Sequence, residues 1–143
     1  MERKMEYQGV PIRALAYLID NAILFALFAL FHFLVFGTWL RHIPNVATIA
    51  TDPICLSLLA VYFIYFIVLE GTVGATVGKL ICKIRVKEIN GNACGIYRAS
   101  VRNILRTIDG LVFYLVGIIL IAISDKKQRL GDKIAKTVVL RSD

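Results

Sequence analysis

Hydrophobic residues in this chain come in long runs separated by short clusters of basic ones. The first run, residues 13–36, starts at Arg13 and is interrupted inside by Asp20, Asn21 and His32. At 1.5 Å of rise per residue, a helix of that length exceeds the roughly 30 Å hydrocarbon core of a bilayer. Trp39 and Arg41 follow it and suit an interfacial anchor for the far end. The second run begins at residue 54 and reaches about residue 77 if Glu70 is tolerated within it. Its end dissolves into Gly71, Gly74 and Gly78, which break a helix or let backbones approach closely. Two membrane-spanning helices, 13–36 and 54–77, are therefore expected, joined by a short loop.

The pattern then changes period. Cys82-Lys83-Ile84-Arg85-Val86-Lys87 alternates with period two, as a half-buried strand does. Asn90-Gly91 follows, a hairpin signal because both residues tolerate positive φ. Residues 92–97 would be a second strand or a turn into helix. Thr137-Val138-Val139-Leu140 is β-branched and suited to pairing, so a β element over 81–97 with 137–141 is expected. Residues 98–124 form a further helical segment. Its apolar part, 111–123, is only about 13 residues long, short for a full span. The expected fold class is an all-α membrane protein in one domain over 1–143. It has two full transmembrane helices, a re-entrant or third transmembrane segment, and a small cytoplasmic β-hairpin or sheet.

Composition agrees, with 58% apolar residues against roughly 45–50% for soluble domains. The charge adds a direction. The formal net charge is +7, and 13 of the 17 Lys and Arg fall in residues 79–106 and 126–141. Basic residues in short loops stay cytoplasmic. Arg3, Lys4 and Arg13 then hold the N-terminus inside, and residues 37–53, with one Lys or Arg, lie outside. The basic segments return to the cytoplasm. Three complete spans would carry the basic tail outside and part residues 138–140 from the hairpin. A re-entrant or interfacial helical pair, breaking near Asp109-Gly110, avoids both costs; three full spans are the alternative. The first run is too long for a signal-peptide core and no A-x-A-like site closes it. A multi-pass protein of the inner cell membrane is expected, with its basic face against anionic lipid. That accounts for the basic clusters more simply than nucleic acid would.

The polar residues inside the apolar runs are the candidate site. Arg13, Tyr17 and Asp20 share one helix face, but Arg13 and Asp20 are about 10 Å apart in rise, so each needs partners elsewhere. A carboxylate at such depth must face protein or water. It is either a structural staple or an ion or proton site, since desolvation favours the protonated form of any carboxylate. Asn21 and His32 share a second stripe, and His32 could carry protons or simply pack. Glu70, at the inner end of the second run, is placed to snorkel or pair with arginine. Asp109 would sit deepest in the re-entrant pair. Lys79, Arg102 and Arg106 are further candidates in the basic segment.

Several chemistries are excluded. Residues 74–79, Gly-Ala-Thr-Val-Gly-Lys, are one residue short of a phosphate loop, and Leu80 stands where magnesium needs Ser or Thr. Cys55, Cys82 and Cys94 have no metal-type spacing, and two histidines are too few for a metal site. No nucleophile–base–orienter set can be assembled, so no enzyme, cofactor or metal is expected.

Four motifs in order resemble the RDD family of small membrane proteins, named for one arginine and two aspartates. They are Arg13-Ala14-Leu15-Ala16-Tyr17-Leu18-Ile19-Asp20; Thr76-Val77-Gly78-Lys79, with Val86 and Gly91 behind it; Arg102-Asn103-Ile104-Leu105-Arg106 with Asp109; and Arg129-Leu130-Gly131-Asp132, then Ala135-Lys136-Thr137-Val138-Val139. Many members carry His where Gly131 stands, so any role of that histidine is absent or moved. The resemblance implies that Arg13, Asp20 and Asp132 matter most, and cation/proton antiport has been proposed for some members. The leading expectation is a monovalent cation/proton transporter or a subunit of one. Asp20 would bind the ion, Arg13 would ease its charge, and Asp132 would fix Arg13. Two spans enclose little volume, so a pathway would need a homo-oligomer. The alternative is a non-transporting structural or assembly subunit of a membrane complex. A wet path to Asp20 favours the first; a dry Asp20, fully hydrogen-bonded within one chain, favours the second.

Overall fold

Proline in the first turn, where its missing N–H costs nothing, opens helix α1 (Val10–Phe36), and Gly37 in the left-handed region closes it. The computed structural model describes residues 6–37, 53–111 and 115–142. The loop with Trp39 and Arg41 lies outside them, as does the side chain of Asp109. Helix α2 (Pro53–Thr72) is the second long apolar helix. Both are long and apolar enough to cross a membrane. Leu18, Phe25, Leu34, Val61 and Ile64 on these helices remain exposed. A soluble core would cover such side chains, whereas hydrocarbon receives them.

The second helix stops five residues earlier than the expected residue 77. The chain turns at Gly74 (φ +76°), whose carbonyl accepts the Val86 N–H at 2.6 Å, and restarts as the short helix α3 (Val77–Ile81). Strand β1 (Ile84–Glu88) buries Ile84 and Val86 and exposes Arg85 and Lys87, as its period-two pattern requires. It pairs antiparallel with β2 (Thr137–Arg141), with Val86 opposite Val139. Residues 6–8 run along the other edge of β2, where Gln8 N–H donates to Val139 O at 3.0 Å. The expected hairpin is reduced to one bridge, Lys87 with Ala93. Gly95 (φ +74°) then turns the chain into helix α4 (Ile96–Leu111), the second of the two forms open to residues 92–97. That helix continues through Asp109 and Gly110. Helices α5 (Leu115–Ile123) and α6 (Leu130–Ile134) lead to β2.

The buried core lies where α1, the sheet and α4 converge, on Ala16, Ile84, Val86, Cys94, Ala99 and Val139. Helix α1 packs on α3 and α2 packs on α4. Both contacts are close enough to require glycine. A Cβ on Gly78 would stand 2.1 Å from the Ala16 carbonyl oxygen, and one on Gly71 would stand 2.7 Å from Ile96 Cα. Gly78→Ala should therefore lower stability by about 1–3 kcal/mol, the usual range for overpacking. Gly9→Ala, whose added methyl meets nothing nearer than 3.8 Å, should stay near neutral. Thermal unfolding in detergent micelles measures both.

Candidate functional site

Three carboxylates are completely buried among the described residues: Asp20, Glu70 and Asp132. An ionised group out of water persists only with hydrogen bonds or opposite charge around it. Asp20, on α1, is met by neutral donors alone. Its Oδ1 accepts the Tyr65 hydroxyl at 2.8 Å and the Gly78 backbone N–H at 2.7 Å; its Oδ2 accepts the Thr76 hydroxyl at 2.5 Å. Tyr65 also accepts the Val77 N–H at 3.3 Å. Thr76, the N-cap of α3, makes no side-chain cap bond. Asp20 supplies that acceptor from another helix.

Glu70, at the end of α2, gathers the basic segment. Lys79 Nζ pairs with its Oε1, and Arg106 Nη2 donates to the same oxygen at 3.1 Å. Asn103 Nδ2 donates to Oε2 at 3.3 Å, and Arg102 Nε stands 3.6 Å from it. The Arg106 guanidinium also lies 4.6 Å over the Phe66 ring, a cation–π contact. Asp132, in α6, takes the Arg13 Nη1 at 2.6 Å, with Arg102 Nη2 at 3.1 Å and Arg129 Nε at 3.6 Å. Arg102 thus lies between two acids and is only 1% exposed. Arg13 is oriented further by donating to Gln8 O at 3.0 Å and Lys127 O at 2.7 Å.

The electrostatics follow from this geometry. Burial alone would raise the Asp132 carboxyl. Arg102, Arg129 and Arg13 reverse that and hold it well below the usual carboxylate range. Burial likewise weakens the hold of Lys79 on its proton, an effect Glu70 opposes and Arg102 and Arg106 reinforce.

The candidate residues therefore fall into four places. Arg13, Asp132, Glu70, Lys79, Arg102 and Arg106 form the ion cluster. Asp20 stands apart from Arg13, which serves Asp132 instead of easing the charge on Asp20. Tyr17 and Asn21 join α1 to α2, with the Tyr17 and Tyr62 hydroxyls 3.0 Å apart and Tyr62 O–H donating to Asn21 Oδ1 at 3.3 Å. His32 lies three turns further along α1, against the Phe28 ring. The roles of Tyr65, Thr76, Gly78, Asn103 and Arg129 were not individually evident from sequence. A Thr-x-Gly step after an apolar run, starting a short helix, was the available signal for two of them. Among the described residues no group of three His, Cys, Asp or Glu side chains could hold a metal. A partly open cavity of about 430 Å³ borders the cluster.

The RDD family pattern matches residues 7–136. An uncharacterised protein of Rickettsia prowazekii (strain Madrid E) is 27% identical over 113 residues, covering 78% of this chain and 60% of that protein. The chain thus spans about three-fifths of the length of that curated relative. No solved structure matches.

Glu70→Gln strips three cations of their shared anion and should cost about 3–5 kcal/mol in unfolding. Asp132 binds its proton more weakly in the fold than in the open chain. Its contribution is therefore complete above the ordinary aspartate value near pH ~4 and is lost as pH falls below it. Melts recorded across pH should decline on that acid side, and Asp132→Asn should be less stable at neutral pH with a flatter acid limb.

Proposed function

The chain belongs to the RDD family, and from that premise we propose that it is a non-transporting scaffold or assembly subunit of a membrane complex. One observation carries the reading: Asp20 is wholly buried, with both carboxylate oxygens hydrogen-bonded inside the one chain. An ion or proton carrier must exchange those partners for water or cargo. Here the donors come from three points on α2 and α3, so releasing Asp20 means separating packed elements. The buried charges then serve to lock a cap, formed by α3, the two strands, α4 and α6, onto two lipid-facing helices. No reaction is assigned to it.

The proposed placement is the inner cell membrane, with the N-terminus and the cap in the cytoplasm. The distribution of Lys and Arg supports this. Residues 98–124 are proposed to enter and leave on the cap side. The support is connectivity: β1 leads into that segment, β2 follows it, and the two strands are paired. A single complete crossing would pull them to opposite faces.

A second reading, a monovalent cation/proton transporter with a pathway between copies, draws on the cavity that borders Asp20. Sodium and proton flux in proteoliposomes separates the two. The expected result is wild-type flux equal to protein-free vesicles, with Asp20→Asn only lowering the melting temperature. Wild-type flux that disappears in a folded Asp20→Asn variant would overturn the scaffold reading.

A further inference from the structure

The charges around the cavity do not balance. Arg13, Lys79, Arg102, Arg106 and Arg129 line it, while Asp20 is the acid in its wall and Glu70 and Asp132 stand behind. The surplus is visible atom by atom. Arg106 Nη1 and Arg129 Nη2 are buried without a hydrogen-bond partner among the described residues, while Arg129 Nε and Arg102 Nε reach only as far as 3.6 Å from the carboxylates of Asp132 and Glu70. Charged donors are the most costly groups to leave unmet. Burial above all, and then the neighbouring Arg106, bring the Arg129 guanidinium down to about 10 against the opposing pull of Asp132. Forked guanidinium donors match the oxygens of a phosphate, which accepts several such bonds at once.

Another part of the wall is apolar. Val10, Ala14 and Leu18 follow at successive turns of α1 and line the cavity together with Ile118 and Ile121 of α5. Ala14 and Leu18 are exposed on a helix read as lipid-facing. The volume of about 430 Å³ falls within the range of roughly 300–1,000 Å³ typical of ligand pockets. A small hydrated anion would satisfy the arginines and leave this wall uncovered. We propose that the cavity binds a phosphate-bearing anion through Arg102, Arg106 and Arg129. The source that fits both walls is an anionic phospholipid, its phosphate at the guanidinium groups and its chain along α1 and α5. This is a built site, distinct from loose attraction of lipid to exposed lysines, and it does not depend on the scaffold reading.

The test is thermal unfolding of the full chain in non-ionic micelles, with added phosphatidylglycerol, phosphatidylcholine or inorganic phosphate. Phosphatidylglycerol should raise the midpoint by several degrees and keep most of that effect in 0.5 M salt. Phosphatidylcholine should not, and inorganic phosphate should act only at much higher concentration. Arg129→Gln should weaken the phosphatidylglycerol response at least tenfold, while Arg85→Gln, on the exposed face of β1, should leave it unchanged. Ala14→Phe fills the apolar wall without touching a charge. It should weaken phosphatidylglycerol alone, and it carries the test if Arg129→Gln fails to fold. Equal effects of both lipids, complete loss in salt, or a response indifferent to both variants would overturn the site. Inorganic phosphate matching phosphatidylglycerol, with Ala14→Phe silent, would overturn the phospholipid as its source.

Discussion

A guanidinium that is almost wholly buried survives only where acids surround it, and Arg102 is held on those terms. It stands between Glu70 from α2 and Asp132 from α6, and its Nη1 donates to Thr137 Oγ1 in β2 at 3.3 Å. Arg13 brings α1 to the same Asp132. Elements distant in sequence thus meet on one knot of charge. None of the participants is tolerable alone in a medium of low dielectric, so partial assembly is penalised and the complete arrangement is specified. That matters because apolar faces give two helices in lipid no strong reason to associate.

Asp20 solves the same problem differently. Its donors are two hydroxyls and a backbone N–H, so its charge is spread into dipoles rather than matched by a cation. The consequence is mechanical. Those dipoles belong to α2 and to the start of α3, and α3 can reach α1 only because Gly78 has no side chain to strike the Ala16 carbonyl. The carboxylate and the glycine are two halves of one contact: the approach brings the N–H to the acid, and the acid makes the approach favourable. A carrier site would need this joint to open in every cycle, and Gly71 against Ile96 closes the neighbouring joint just as tightly.

Much of this was legible in the residues. Both apolar runs, the period of β1 and the β-branched tail read directly, because each is a local pattern with its own periodicity. The early end of α2 was harder. A glycine-rich stretch after an apolar run looks like a fading helix, and only the Thr-x-Gly step at Thr76 announces that Val77–Ile81 restarts one. Glu70 was undervalued for a related reason. At the end of an apolar run a lone acid reads as snorkelling or paired with some arginine, and its importance depends on Arg102, Asn103 and Arg106, more than thirty residues away. Their spacing showed that Arg102 and Arg106 share a helix face, but not which acid that face would meet. The separation of Arg13 from Asp20 was visible as helical rise, and Asp132 was the expected partner of Arg13, as the structure has it; the donors that meet Asp20 were not evident.

The net charge of +7 therefore mixes two populations with opposite relations to water. Arg85, Lys87, Lys126, Lys127 and Lys133 are exposed, and their solvated charge can bias orientation across a membrane. Lys79 and Arg102 are buried and nearby Arg13, Arg106 and Arg129 largely so, and their charge is consumed in holding the cap to the helices. Only the first group can be exchanged between Lys and Arg with little consequence. In the second, the forked donors of Arg102 reach two acids at once, which a lysine ammonium cannot do with the same geometry. Arginine at 102 is thus a requirement of shape as much as of sign.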